Sequence, residues 1–206
     1  MRIAIIGTGN VGAALGSAWS AKGHEVVYGV RDAASAVPAL GRGAGVREAA
    51  EGAEAIVLAV PWSAVQEVLR RCGSLSGKTV IDCTNPLKPA LAGLEIGLTT
   101  SAGEQVAGWA PGASVFKAFN QTGALNMAST AGYPARPVMF VCGDDAARKP
   151  AVLRLAEDLG FEAVDAGDLT VARLLEPLAM LWIELARKRG LGADFVFSLQ
   201  RKTRNG

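Results

Sequence analysis

Arg2-Ile3-Ala4-Ile5-Ile6-Gly7-Thr8-Gly9-Asn10-Val11-Gly12 is the stretch that decides the fold. Five residues of strand character run into three glycines spaced G-x-G-x-x-G, and an amphipathic helical pattern, Asn10–Lys22, begins inside the glycines. The spacing alone is a weak signal. Placed between a strand and a helix, it describes a turn that brings the pyrophosphate of a dinucleotide to a helix N-terminus. Gly7 permits the tight turn, Gly9 removes a side chain where the phosphates approach, and Gly12 lets the helix lie close to the strand. Ala13 and Gly16 extend the small-residue face. Free backbone N–H groups around Gly9, Asn10 and Val11 are the predicted phosphate donors, with Thr8 and Asn10 adding side-chain donors.

The second strand, Glu25–Val30, carries the cofactor preference. An Asp or Glu near its end accepts the ribose hydroxyls in NAD enzymes. Here that position falls near Gly29 or Val30, and Arg31 follows at once. A guanidinium there suits a ribose 2′-phosphate, so NADP(H) is expected, held by Val30 and Arg31. Asp32 is a competing group, placed either to neutralise Arg31 or to reach the ribose itself.

Outward from this unit the chain alternates strand and helix patterns. Ala55–Val60, Thr79–Cys83, Ser114–Phe119, Val138–Cys142 and Glu162–Asp165 read as strands, with a short one near Gly45-Val46. Ser63–Arg71, Ala102–Trp109, Asp144–Leu159 and Leu169–Lys188 read as helices. Several strands are continuous apolar runs, as strands covered on both faces must be. The expected class is α/β, a doubly wound, mostly parallel sheet in a single Rossmann-type NAD(P)-binding domain spanning 1–206, with a C-terminal helical segment from about 168. The last helix places Val171, Leu174, Leu175, Leu178, Leu181, Trp182 and Leu185 at helical spacing around Pro177, where a kink is expected. Its wide apolar face either packs on the sheet or pairs with a second copy, giving a homodimer.

Ligands of open α/β sheets bind outside the carboxyl ends of the strands, which nominates the remaining site residues. Val60 and Pro61 close one strand; Thr84, Asn85 and Pro86 follow another; Lys117, Asn120 and Gln121 gather at a third. Trp62 reads as a plug beside Pro61, and the aperiodic segment Asn85–Ser101 is either a pocket wall or a surface excursion. Lys117 and Asn120 divide between functional and capping roles.

The composition removes other classes. Half of the 206 residues are apolar and the net charge is +2, with basic residues scattered up to Arg201, Lys202 and Arg204. No nucleic-acid footprint follows from that. No membrane span or signal peptide is read: Ile3–Ile6 is too short, and Val171–Leu185 carries Arg173, Glu176 and Glu184. Cys72, Cys83 and Cys142 are widely spaced, which fits reduced thiols and a cytoplasmic setting. The only histidine, His24, falls between the first helix and second strand, far from the glycine loop, so neither a histidine-based triad nor a metal site is expected. Hydride transfer remains, because the nicotinamide carries that chemistry. A redox ring as acceptor needs little acid–base help, whereas a carbonyl or imine needs a proton donor such as Lys117, Cys83 or water.

Several segments together resemble a known family. Ile6-Gly7-Thr8-Gly9-Asn10-Val11-Gly12, Gly23-His24-Glu25-Val26, Gly29-Val30-Arg31, Val60-Pro61-Trp62, Lys117-Ala118-Phe119-Asn120, Val141-Cys142-Gly143-Asp144-Asp145, Asp165-Ala166-Gly167 and Ala172-Arg173-Leu174-Leu175-Glu176 resemble the NADP oxidoreductase, coenzyme F420-dependent family over nearly the whole chain. That family is similar to the reductase domain of the STEAP metalloreductases. The resemblance implies hydride transfer between NADP(H) and a small redox acceptor, either the deazaflavin coenzyme or a flavin such as FAD or FMN. It also implies that Thr8 to Val11 hold the pyrophosphate and Val30-Arg31 the 2′-phosphate. Two segments depart from the deazaflavin enzymes: Val30 and Asp32 replace a Ser and a second basic residue, and Phe119-Asn120 is STEAP-like where those enzymes have His-Thr. Dehydrogenation of a small carbonyl or imine, and a non-catalytic NADP(H) sensor, stand as the alternative readings.

Overall fold

The computed structural model describes residues 1–31 and 41–202. Among these, eight strands make one sheet: β1 (Arg2–Ile6), β2 (Glu25–Val30), β3 (Arg42–Gly45), β4 (Ala55–Leu58), β5 (Thr79–Asp82), β6 (Ser114–Lys117), β7 (Val138–Gly143) and β8 (Glu162–Gly167). Their order is β3-β2-β1-β4-β5-β6-β7-β8. The first six run parallel; β7 lies antiparallel to β6, and β8 is parallel to β7.

The central strands β4 and β5 are buried along their whole length, and β1 from its second residue onward. Their side chains alternate between two cores. Ile3 and Ile5 join Leu15 and Trp19 of α1 (Asn10–Ala21), Met127 of α5 (Ala124–Ala128), and Val152 and Leu155 of α6 (Lys149–Asp158). Ala4 and Ile6 face the other way, toward α2 (Val46–Gly52), α3 (Val65–Cys72), α4 (Ala102–Trp109) and α7 (Ala172–Ile183). Each fully buried Ile or Leu stabilises the fold by about 1.5–3 kcal/mol. A one-residue slip of β1 would exchange Ile5 and Ile6 between the two cores, so the register is strongly specified. The sheet is doubly wound and mostly parallel, as the sequence predicts.

The glycine turn is fixed by contact. Gly7 has φ +116°, and a Cβ there would stand 2.3 Å from the carbonyl oxygen of Ala59. At Gly12 a Cβ would meet the Gly7 carbonyl at 2.1 Å. Helix, turn and the end of β4 therefore pack backbone to backbone, while a Cβ at Gly9 would meet nothing within 4 Å.

Some boundaries differ from expectation. The short third strand is Arg42–Gly45, and Val46 instead opens α2, a seven-residue helix too brief to declare a period. The helix expected from Asp144 starts at Lys149, because Asp145 Oδ1 accepts from the N–H groups of Ala147 and Arg148 and holds a turn there. At Pro177, where a kink is expected, the helix is unbroken. α7 runs through that residue, which is exposed, so the carbonyl it leaves unpaired is available to water; the irregularity comes later, as a π-helical turn at Glu184–Lys188. Ala172, Leu175, Glu176, Ala179 and Trp182 of α7 are buried against the body, and Leu174 and Leu181 are exposed. Beyond it the chain folds back as a strap: Phe195 stacks on Trp182, and the Phe197 carbonyl accepts from the Val138 N–H. No helix among the described residues is long and apolar enough to cross a membrane.

Gly12→Ala is expected to destabilise the chain by about 1–3 kcal/mol, because the added methyl must part α1 from the turn. Gly9→Ala should cost less than about 1 kcal/mol, the difference between Gly and Ala at a helix N-cap. Urea midpoints of the two variants check the contrast.

Candidate functional site

A cleft of about 500 Å³ opens at the carboxyl ends of β1, β4 and β5. It lies where the strand order turns back on either side of β1, the place where open α/β sheets bind ligands. Gly9, Asn10 and Val11 line it from the glycine turn; Ala59, Val60, Pro61, Trp62 and Ser63 from the end of β4; Cys83, Thr84 and Asn85 from the end of β5. Leu87, Pro89 and Glu95 complete the wall, so the aperiodic segment Asn85–Ser101 does form one side. It holds its shape through a bridge between Leu87 and Leu94, a Glu95 N–H to Pro86 carbonyl bond of 2.7 Å, and left-handed backbone at Ala90, Leu91 and Leu98.

Seven of the residues nominated from sequence therefore meet in one lining: Gly9, Asn10, Val11, Val60, Pro61, Thr84 and Asn85. Others take different places. Gly7 and Gly12 form the scaffold under the turn, and Thr8 is exposed on it. The Val30 side chain belongs to the core, so only its backbone is available, whereas Arg31 is exposed just past the end of β2. Asp32 lies outside the described residues. Pro86 is buried, and Asn120, 5% exposed, stands one layer behind Asn85 rather than in the lining. Trp62 is a wall residue as much as a plug, stacked on Trp109 at 5.3 Å between ring centroids. Its position directly after Val60-Pro61 is the signal that points to it. Glu95 has no comparable signal, because its place depends on an irregular loop.

The N-terminus of α1 faces this cleft without a protein cap. Gly9 supplies no side chain, and the first turn holds no acidic residue. The N-terminus of α4 is filled instead: Ser101 accepts from the Glu104 N–H, and the Glu176 carboxylate accepts from the N–H groups of Ala102 and Gly103 at 3.0 and 3.1 Å.

Below the Thr84 wall lies a buried ion cluster. Lys117 Nζ stands 2.7 Å from Asp82 Oδ2 and 2.9 Å from Glu176 Oε1, and it donates to the Thr84 carbonyl at 2.7 Å. Asp82 Oδ1 accepts from both the N–H and the hydroxyl of Thr84. Burial works to lower the Lys117 pKa, but the charges of Asp82 and Glu176 outweigh it and raise the ammonium above its ordinary value. The sequence reading of Lys117 as a proton donor does not hold. Its side chain is wholly inaccessible and all its contacts are structural. Cys83 reaches the lining, yet burial first and Asp82 second push its thiol well above the usual range, so it is no nucleophile. His24 pairs with Asp158 at 2.9 Å away from the cleft, as expected of a structural residue. No group of metal-ligating side chains occurs among the described residues.

With this geometry the chain was compared with known proteins. The family model described as NADP oxidoreductase coenzyme F420-dependent matches residues 2–86. The F420-dependent NADP reductase of Methanothermobacter marburgensis is 32% identical, over 90% of this chain and 92% of that protein. The chain belongs to this family. Rat metalloreductase STEAP3 is 29% identical over 87% of this chain but 37% of its own length. A structure described as a putative F420-dependent NADP reductase from Arthrobacter sp. FB24 superposes with a TM-score of 0.87 at 33% identity, covering 98% of this chain and all of that one. An imine reductase from Aspergillus terreus, at 22% identity and a TM-score of 0.68, shares the fold.

In this NADP oxidoreductase the ion cluster links stability to pH. A raised lysine pKa contributes stability that is complete below the unfolded value of 10.5 and is lost as the pH climbs toward the folded value. Lys117→Met leaves two buried carboxylates facing each other and is expected to cost about 3–5 kcal/mol. The gap between wild type and variant should narrow above about pH 10 as Lys117 loses its proton, as read from urea midpoints at each pH.

Proposed function

We propose that the chain transfers a hydride between NADP(H) and a deazaflavin or flavin ring seated in the cleft. The observation that carries this reading is a lining poor in proton donors, in which Glu95 is the one ionisable carboxyl group among the described residues. Among the described residues no His, Lys or Tyr lines the cleft, Lys117 is sealed in its ion cluster, and the Cys83 thiol holds its proton. A carbonyl or imine requires protonation along with hydride addition, whereas a conjugated redox ring disperses the incoming charge over itself. Membership of the family and its similarity to the archaeal F420-dependent NADP reductases support the same assignment.

The residues present fit the cofactor. The uncapped N–H groups at the start of α1, with Thr8 and Asn10, suit a pyrophosphate, and the open space at Gly9 leaves room for it. Gly7 and Gly12 hold that turn in place. Arg31, exposed beyond β2, would hold the 2′-phosphate, with the Val30 backbone beside it. Val60 and Pro61 form the apolar wall; Thr84 and Asn85, backed by Pro86, floor the nicotinamide end, with Asn120 acting through Asn85. Bound there, the dihydronicotinamide supplies the hydride. The chain's own residues would orient it and exclude water with Trp62, Leu87 and Pro89.

The test is to mix the protein with NADPH and, in turn, coenzyme F420, FMN and FAD while following the nicotinamide absorbance. Turnover with at least one is expected. No turnover with any of the three overturns the reading. Arg31→Ala should reduce the preference for NADPH over NADH by roughly 10- to 100-fold, since a charged hydrogen bond is worth about 1.5–3 kcal/mol. An unchanged preference in a binding titration removes Arg31 from the 2′-phosphate site.

A further inference from the structure

Two hydrogen-bonded relays run side by side from α7 to the cleft. In the first, Glu176 pairs with Lys117 at 2.9 Å, and Lys117 donates to the Thr84 carbonyl at 2.7 Å. In the second, the Leu175 carbonyl accepts from Asn120 Nδ2 at 3.0 Å. Asn120 then exchanges two bonds with Asn85: its Nδ2 donates to Asn85 Oδ1 at 3.0 Å, and its carbonyl accepts from Asn85 Nδ2 at 2.9 Å. Successive residues of α7 thus reach successive residues of the cleft wall, through two side chains on the last residue of β6 and the loop just after it.

The wall depends on these contacts because the sheet has released it. The N–H of Cys83 still bonds the Leu58 carbonyl in the neighbouring strand. At Thr84 both backbone groups are held by side chains instead, the N–H by Asp82 and the carbonyl by Lys117. A buried ammonium between two carboxylates is a short-range, charge-assisted clamp with little freedom to drift. The helix at the far end is itself fixed, since Glu176 accepts from the first N–H groups of α4 and Arg173 pairs with Glu104.

We propose that Lys117 and Asn120 are positioning residues that set the Thr84–Asn85 wall from α7 and thereby control the grip on the nicotinamide half of the cofactor, leaving the adenosine half untouched. The inference rests on the cofactor reading given above. Neither residue lines the cleft, so each acts through the wall residue it holds.

Adenosine 2′,5′-bisphosphate carries the 2′-phosphate and lacks the nicotinamide, which makes it the control ligand. In Asn120→Ala and Lys117→Met, the Kd for NADPH should rise about tenfold or more while the Kd for adenosine 2′,5′-bisphosphate stays within about twofold. Because Lys117→Met strands two carboxylates, the triple variant Lys117→Met/Asp82→Asn/Glu176→Gln is measured beside it, with no buried charge left uncompensated. Equal losses for both ligands, the mark of a merely structural role, overturn the proposal alone, as does an unchanged NADPH affinity. A wild-type chain that binds neither ligand overturns the cofactor reading and this proposal with it.

Discussion

The Gly7 backbone and the Ala59 carbonyl stand too close for a side chain, and the rest of the molecule is arranged around that approach. A Cβ at residue 7 would lie 2.3 Å from the oxygen. The contact locks the turn after β1 to the end of β4, the two strands between which the sheet reverses its order. From there the crevice is a consequence of topology: the connections of β1 and β4 leave in opposite directions, and the space between them is not refilled. The cores on the two faces stabilise the sheet, but they do not decide where it opens.

Two helix N-termini point into this region and are treated in opposite ways. At α4 a carboxylate from α7 and the Ser101 hydroxyl occupy the free N–H groups, so that end is electrostatically spent. At α1 no side chain intrudes, and the partial positive charge remains available. The chain carries both the closed and the open version of one device within the same domain face. The closed one also absorbs part of the excess negative charge of Asp82 and Glu176, which the single ammonium of Lys117 cannot balance alone.

The sequence was most legible where structure is local. Arg2–Gly12 spells out strand, turn and helix within eleven residues, and the apolar runs of β4 and β5 announce strands covered on both faces. From these local patterns alone Gly9, Asn10, Val11, Val60, Pro61, Thr84 and Asn85 are nominated, and all seven line one cleft. Long-range partnerships were not legible. Lys117 read as a polar residue at a strand end, and nothing nearby in the chain indicates that Asp82 and Glu176 enclose it. Glu176 itself read as a charge interrupting an apolar helix, although it is 1% exposed. Glu95 depends on left-handed backbone at Ala90 and Leu91, residues with no preference for it. The reversed direction of β7 was equally silent, because a strand's apolar pattern reads the same in either sense.

That reversal has a geometric effect on the C-terminal helix. In an all-parallel sheet the helix after the last strand would start at the cleft end and descend away from it. Since β8 runs the other way, it ends at Gly167, level through Cys142 with Lys117 at the end of β6, and α7 starts beside that strand end and runs outward from it, meeting Lys117 and Asn120 at Glu176 and Leu175. From Glu176 to Ile183 it continues for roughly 10 Å at the usual helical rise. The outer part of the helix thus stands beyond the sheet, where Trp182 packs beside Gly123 and stacks on Phe195 and so ties the loop after β6 to the C-terminal strap.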